Sequence, residues 1–343
     1  MAPVAPALIS TALPRVAVIV PAYGVAHLLG EALGSLQAQS LAEWECVVID
    51  DGAPDDVAAA VAPFLADPRI RFVATAHHGV SAARNTAIAA TSAPLIALLD
   101  GDDRFRPDYL AEMATLLEHD QAIRLTTCNA LLFGALPRER LCFTHPQGRG
   151  DGKHGSLGEV LDRSFSVYIG ATFRRADFAA IGGFDPSITH AEDLDLWVRL
   201  LELGGSARYI DRVLGEYRVR PHSASDNPVR MLQGNLKVYL KAQQRLPVQD
   251  PAQETIAAML VETRQALNFE YALLRIDGGE IGRGLSELRA VRGQVRGPVW
   301  ALSFALWRMM PGLARPMLGW RHRSMARTTQ RMPLPAVQAE NIA

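Results

Sequence analysis

The sequence predicts an α/β protein: a mainly parallel sheet flanked by helices, followed by a helical C-terminal extension. Three observations carry this. Short β-branched runs alternate with helical periodicity from Arg15 to His119. These runs are apolar at nearly every position, as strands buried on both faces must be. Beyond Pro228 only the helical period remains.

The elements follow in order. RVAVIV (Arg15–Val20) is an apolar strand closed by Pro21. Leu28, Leu29, Ala32, Leu33 and Leu36 mark a helix over Leu28–Gln39. ECVVID (Glu45–Asp50) is a second strand, Val57–Leu65 a helix, and Ile70–Ala74 a third strand. Ser81–Ala90 is Ala-rich and helical, Leu95–Leu99 is a fourth strand, and Pro107 opens a helix to His119. Strands follow at Arg124–Phe133 and Val167–Phe173, with a loop over Pro137–Gly155. Ala176–Ile181 and the amphipathic Glu192–Leu203 are helices, and Gly215–Arg220 an edge strand. Val229–Gln244, Ala252–Arg275 and Gly282–Val291 close the series as helices.

Of 343 residues, 35 are Lys or Arg and 36 Asp or Glu, a formal charge of −1. That average hides two unlike parts. Arg289–Ala339 holds nine arginines and no acid, so the rest of the chain stands at −10. An acidic body excludes a nucleic-acid binder held by bulk charge. Three scattered cysteines (Cys46, Cys128, Cys142) form neither a disulfide framework nor a CxxC zinc site. The N-terminus lacks a basic segment before an apolar core, so no signal peptide is expected, and no window is long and apolar enough for a membrane span. The expected location is the cytoplasm, peripheral at the inner face of the cell membrane.

In sheets of this kind ligands bind at the carboxyl ends of the strands. Two strands end there in acids: Asp50-Asp51-Gly52, and Asp100-Gly101-Asp102-Asp103. Hard divalent cations take oxygen ligands, and Mg²⁺ or Mn²⁺ takes one or two carboxylates plus phosphate oxygens. An Asp-Gly-Asp at a strand end therefore suits a nucleotide diphosphate held through a metal, and Gly101 lets the backbone approach the bound group. Taken singly, each acidic turn is equally an ordinary helix-capping loop.

Six pieces occur in order: VAVIVPAYG, ECVVIDDG, GVSAARNTAIAAT, LIALLDGDD, GGFD and EDLDLWVRL. Together they resemble the family 2 glycosyltransferases, of inverting stereochemistry and the GT-A nucleotide-diphospho-sugar transferase fold, over Arg15–Asn227. The resemblance implies a catalytic domain over residues 1–227, with a nucleotide-binding half near 15–120 and an acceptor half near 121–227, and a helical extension over 228–343. It places Pro21, Ala22 and Tyr23 along the nucleoside pocket and Asp50 and Asp51 at the base or ribose. Arg84, Asp100 and Gly101 fall beside the nucleotide. Asp102, with Asp100, is implied as the ligand of Mn²⁺ or Mg²⁺, supported by Asp103. Asp193 is implied as the general base, with Glu192, Trp197 and His190 on the acceptor side. The family's Tyr-Arg-x-His element is altered here to Tyr217-Arg218-Val219-Arg220-Pro221-His222. Either His222 reaches the metal through a shifted loop, or Arg220 binds the diphosphate as a cation; a guanidinium favours the second. Read without the family, Arg84 is equally a solvated helix charge, Trp197 a core residue, and Glu192–Asp193 acids favoured at a helix start.

The resulting expectation is an inverting, metal-dependent glycosyltransferase that moves a sugar from a nucleotide-diphosphate sugar, UDP-linked, to a glycan or lipid-linked acceptor in cell-envelope polysaccharide synthesis. A sugar nucleotidyltransferase is the alternative, although its Gly-rich loop is missing after the first strand. A non-catalytic glycan- or membrane-binding scaffold is another. The tail Val299–Trp320 mixes tryptophans, Phe304, leucines and methionines with Arg308 and Arg315, broken by Pro311 and Pro316. Such a stretch either lies on anionic lipid or packs as helices on protein. No nucleic acid partner is expected.

Overall fold

A computed structural model describes residues 13–221, 227–291 and 298–319. Four strands, β1 (Val16–Ala22), β2 (Trp44–Asp51), β3 (Ile70–Thr75) and β4 (Leu95–Leu98), pair in parallel in the order β3-β2-β1-β4. Parallel neighbours require crossovers, and α1 (Ala26–Gln37), α2 (Val57–Val61) and α3 (Val80–Ala89) supply them. The register sets Ala22 beside Asp50, and Asp50 beside Ala74. Both acidic strand ends therefore open on the same edge of the sheet. Alternate side chains of β1 face opposite ways. Val16, Val18 and Val20 join Leu29, Leu33 and Leu36 of α1 in one core, while α3 packs on β1 and β2. The helix expected over Val57–Leu65 splits: α2 ends at Val61 and a 3-10 turn, Ala62–Phe64, takes in Pro63, which lacks the amide to continue an α-helix.

After β4 come β5 (Arg104–Phe105), α4 (Tyr109–His119), β6 (Ile123–Gly134), β7 (Arg140–Leu141) and β8 (His154–Gly155). The chain continues through α5 (Leu157–Leu161), β9 (Thr172–Arg174), α6 (Arg175–Ala180), α7 (Glu192–Glu202) and β10 (Ser206–Val219). The sheet runs on as β4-β9-β6-β10-β5. Pairing of β9 with β4 and β6, and of β10 with β5 and β8, is antiparallel. The expected parallel character thus describes the first four strands, and the remainder makes the sheet mixed. Two strands differ from expectation. β10 begins nine residues before Gly215; its charged residues alternate with buried Ala207 and Tyr209, a one-face-buried pattern hidden by the preceding glycines. Conversely, Val167–Gly170 is not extended strand, because Tyr168 turns to donate its amide to Thr127 Oγ1 at 2.9 Å.

The chain divides into two compact units. The first holds the sheet up to Arg218, and the second comprises Gly134–Glu139, Leu161–Arg163 and the chain from Val219. In the second unit, α8 (Pro228–Arg245) is capped by the Asn227 side chain, which accepts from the Arg230 amide at 3.1 Å. It is followed by α9 (Ala252–Asp277), α10 (Ile281–Ala290) and α11 (Pro298–Met309). α10 presses on α9 at Gly284, where a Cβ would meet the Ala272 carbonyl at 2.7 Å. Trp300, Phe304 and Trp307 of α11 join Leu273, Ile276 and Leu288 in a separate small core. Trp300, Phe304 and Trp307 are therefore engaged by protein of their own unit, and Trp320 lies outside the described residues. Pro311 starts a 3-10 turn, whereas Pro316 sits in the first turn of the helix at 314–319, where its missing amide costs no hydrogen bond. Among the described residues no helix is long and apolar enough to cross a membrane.

Candidate active site

The site is built at the strand ends of the first unit. β1 delivers Pro21 and Ala22 to that edge, and Tyr23 beyond them is half exposed at 51%. The Tyr23 ring lies 4.7 Å from the His77 ring, tilted by 34°. Asp51 is buried, and its carboxylate accepts the amides of His78 at 2.8 Å and Gly79 at 2.9 Å, with His77 Nδ1 2.9 Å away. Asp51 thereby fixes the turn that holds His77 against Tyr23. Gly52 permits this closeness: it has φ of 64°, and a Cβ there would meet the His77 amide nitrogen at 2.8 Å. Asp50 accepts from the Ala53 amide at 2.7 Å, closing the same loop. Asp55, which the motif reading missed, accepts from the amides of Gly24 at 2.9 Å and Ala26 at 2.6 Å. It ties the loop after β2 to the start of α1. No local sequence signal distinguishes it from Asp56, which merely caps α2 through the Ala59 amide.

Asp100, Asp102 and Asp103 follow β4 in a turn closed by the Asp103 amide on the Asp100 carbonyl at 2.9 Å. Gly101 is packed tightly: a Cβ would lie 3.0 Å from the Pro21 carbonyl oxygen and from the Val25 and Leu29 side chains. The acidic turn and the loop after β1 are thus in contact. Arg218 donates Nε to the Asp102 carbonyl and its amide to Asp103 Oδ1, both at 2.8 Å. Arg218 and Arg104 lie on the Phe133 ring at 4.3 and 4.2 Å, and both pair with Glu31. Sequence reasoning missed this brace behind the acidic turn. Asp103 is buried, and its Oδ2 has no hydrogen-bond partner. Burial, then the Asp102 and Asp100 charges, push its carboxyl well above the usual carboxylate range. The donor set here is carboxylate oxygen throughout, the kind a hard divalent cation takes. Among the described residues no group of three or more His, Cys, Asp or Glu encloses a cation by itself. A cation held at Asp102 and Asp100 would need diphosphate oxygens to complete its shell.

The acceptor-side acids sit at the start of α7. Ala191, just before it, holds the left-handed conformation with φ of 61°. Glu192 accepts from Arg84 Nη1 at 2.9 Å, and Asp100 accepts from Arg84 Nη2 at 2.7 Å. The Arg84 side chain is 2% exposed, which excludes a solvated helix charge. Its neighbour Asn85 donates to the Phe184 carbonyl at 2.8 Å and accepts the Phe184 amide at 2.9 Å, holding the Gly-Gly-Phe-Asp turn. Asp193 accepts the Leu194 amide at 2.8 Å. Burial, then the Glu192 charge, push its carboxyl up to about 6, with Arg84 opposing. His190 is half-buried, with Nδ1 3.3 Å from Thr189 Oγ1.

One expected position changes. Trp197 is 2% exposed and meets Phe173 edge-on at 5.9 Å, so it is core and offers no surface for a sugar. It falls on the apolar side of an amphipathic helix, where a large ring gains most from burial. Asp195, a third acid in the same turn, is also structural: fully buried, it pairs with Arg199 at 2.6 Å, which in turn binds the Ile181 and Gly183 carbonyls. Arg220 lies just past β10 in the second unit, half-buried. His222 lies outside the described residues.

Sequence and structure comparisons follow the same outline. A model described as glycosyl transferase family 2 matches residues 17–128, and one described as glycosyl transferase family group 2 matches residues 95–313. The chain is 26% identical over 231 residues to the uncharacterized glycosyltransferase EpsJ of Bacillus subtilis, a match spanning 64% of this chain and 65% of EpsJ. It is 25% identical over 225 residues to the UDP-Glc:alpha-D-GlcNAc-diphosphoundecaprenol beta-1,3-glucosyltransferase WfgD of Escherichia coli, covering 63% and 82% of the two chains. Among solved structures it resembles the mannosyltransferase PcManGT of Pyrobaculum calidifontis in complex with GDP-Man and Mn²⁺. The TM-score is 0.61 and the identity 20%, over 93% of this chain and 88% of that one. This likeness is one of fold, the GT-A arrangement.

Proposed function

Since the chain belongs to the family 2 glycosyltransferases, we propose that it is an inverting, metal-dependent enzyme transferring a sugar from a UDP-sugar to a glycan or lipid-linked acceptor of the cell envelope. The observation that carries this reading is the ion-paired chain Asp100–Arg84–Glu192, which joins the strand-end acids to the helix bearing Asp193. Inversion is a single displacement. The acceptor oxygen bonds to the anomeric carbon as the bond to the diphosphate breaks, and the diphosphate leaves with the electron pair. A base must take the hydroxyl proton as this proceeds. Asp193, with its carboxyl near 6, is ionised at neutral pH yet basic enough to accept it. Asp102 and Asp100 would hold a divalent cation together with the diphosphate, and such a cation would supply positive charge to offset that developing on the leaving group. The exposed Tyr23 ring, backed by His77, offers a face for the nucleobase. WfgD, which by its name uses UDP-Glc and a diphosphoundecaprenol acceptor, supports the choice of donor and acceptor class.

Peripheral membrane contact belongs to the same proposal. With Trp307 enclosed, the support for it is Leu302, Met309 and Met310, exposed beside Arg308 and Arg315. The deciding experiment uses purified full-length protein and a panel of nucleotide sugars with Mn²⁺. Turnover, lost in Asp193→Asn while Mn²⁺-dependent UDP binding persists, is the expected result. Retained transfer in that variant removes Asp193 as base, and release of pyrophosphate from a nucleoside triphosphate and sugar phosphate would indicate a nucleotidyltransferase instead.

A further inference from the structure

The family resemblance places Arg84 beside the nucleotide, but its surroundings in the protein argue for another task. Both terminal nitrogens are taken, one by Asp100 and one by Glu192, acids that lie on different segments. Nε is buried without a partner, and the Phe184 ring lies 5.4 Å below the guanidinium. To reach a nucleotide, the side chain would have to abandon two carboxylates in a buried setting, and a buried charge that loses its partner is costly. Both arms of the planar fork are engaged in a two-ended clamp.

What the clamp holds is the start of α7. Ala191 stands in a left-handed conformation that an L-residue with a Cβ adopts only under restraint from its surroundings. The restraints come from α3. Asn85 fixes the Phe184 backbone in both directions on one side of the Ala191 bend, and Arg84 fixes Glu192 on the other. Two successive residues of one helix therefore set where the next residue, Asp193, stands. The same guanidinium sets Asp100.

We propose that Arg84 is a positioning residue: it holds the metal-side carboxylate Asp100 and the base-bearing end of α7 in fixed relation, and it does not contact the nucleotide. This rests on the reading of Asp193 as base and Asp100 as a donor-side acid. Displacing a base by about 1 Å costs on the order of 100-fold in rate. Arg84→Met, which fills the space without charge, should therefore lower kcat about 100-fold. Arg84→Lys, whose single ammonium reaches one acid at a time, should lose about 10-fold. Donor KM and the affinity for UDP with Mn²⁺ should stay within about threefold in both, the pattern of an interaction that serves the transition state alone.

The test measures kcat, donor KM and UDP binding by calorimetry for the wild type, Arg84→Lys and Arg84→Met, with circular dichroism to confirm folding. Guanidinium added to Arg84→Ala, whose vacated space admits it, should restore part of the kcat that this variant loses. If Arg84→Met does not fold, Glu192→Gln cuts the clamp from its other end and should reproduce the kcat loss with donor affinity kept. A tenfold or larger loss of UDP affinity with kcat kept would make Arg84 a nucleotide contact and overturn the proposal. Unchanged kinetics in Arg84→Lys and Glu192→Gln would also overturn it. A wild type that turns over no nucleotide sugar with Mn²⁺ or Mg²⁺ would instead bring down the functional reading, and this inference with it.

Discussion

Replacing Asp193 by Asn should make the protein more stable at pH 8 while abolishing transfer. The Asp193 carboxyl is raised from 3.8 to about 6, first by burial and then by the Glu192 charge. A raised carboxyl means that the folded state binds its proton more tightly than the unfolded chain does. Below about pH 4 the group is protonated in both states and costs nothing. As pH climbs towards 6 the unfolded chain ionises first, and the folded protein loses stability relative to it. A shift of about two units at 1.36 kcal/mol each sets a ceiling of about 3 kcal/mol. Asp193 is half-buried by its accessible surface, so solvent trims this, and about 1–2 kcal/mol is expected. The Asn side chain carries no such cost. Urea denaturation of both proteins at pH 4, 6 and 8 measures it: the advantage of Asp193→Asn should be near zero at pH 4 and grow to its full value by pH 8. In parallel, wild-type kcat/KM should rise through about pH 6 to a plateau, the limb of an essential base in the free enzyme. A stability difference that does not vary with pH, or a kcat/KM flat from pH 5 to 8, would refute the argument.

Asp102→Ala should remove Mn²⁺-dependent UDP binding, read by calorimetry, while leaving the melting temperature nearly unchanged. Gly52→Ala should cost about 1–3 kcal/mol, because its left-handed φ and the contact with His77 both oppose a Cβ; a denaturation midpoint equal to wild type would contradict this. Trp197→Ala should lose about 3–5 kcal/mol as a core cavity, and unaltered stability with a changed acceptor KM would return it to the acceptor site. Leu302→Glu with Met309→Glu should weaken co-sedimentation with vesicles of anionic lipid and spare the melting temperature, since both side chains point away from the small core.

The first half of the fold is legible because double-sided burial writes itself into sequence: every residue from Val16 to Val20 is buried, and the run is apolar without a break. The acidic strand ends are legible for the same reason, since a polar cluster directly after such a run has only the sheet edge to occupy. β10 was read short because a strand with one solvated face carries Arg208, Asp211 and Arg212, and nothing local separates them from a loop. The acceptor-side place of Trp197 comes from the family resemblance; helical phase sets it with Leu200 and Leu201 on the apolar side, and its packing against Phe173 agrees with the phase. The partners of Arg84 were out of reach altogether: the two carboxylates stand 16 and 108 residues away along the chain.

Sequence also does not separate an acid that works on substrate from one that works on backbone, and hydrogen bonds do. Asp51 gives both oxygens to amides of the 78–79 turn, Asp55 gives both to amides around α1, and Asp195 is taken by Arg199. Asp51 and Asp55 each hold two remote stretches together, while Asp195 anchors Arg199 one turn on in its own helix; all three would be missed for stability before chemistry, because a buried donor left without an acceptor costs about 1–3 kcal/mol. Asp193 accepts from one amide, that of the next residue, which leaves it capacity for a substrate proton. On this reasoning Asp55→Asn should split from Asp193→Asn. The first loses stability at every pH, because its amide end presents donors to the Gly24 or Ala26 amides, and activity then falls in step with the folded fraction. The second keeps its fold and loses turnover. Transfer by Asp193→Asn at wild-type rate, with Asp55→Asn folded but inactive, would reverse the two assignments.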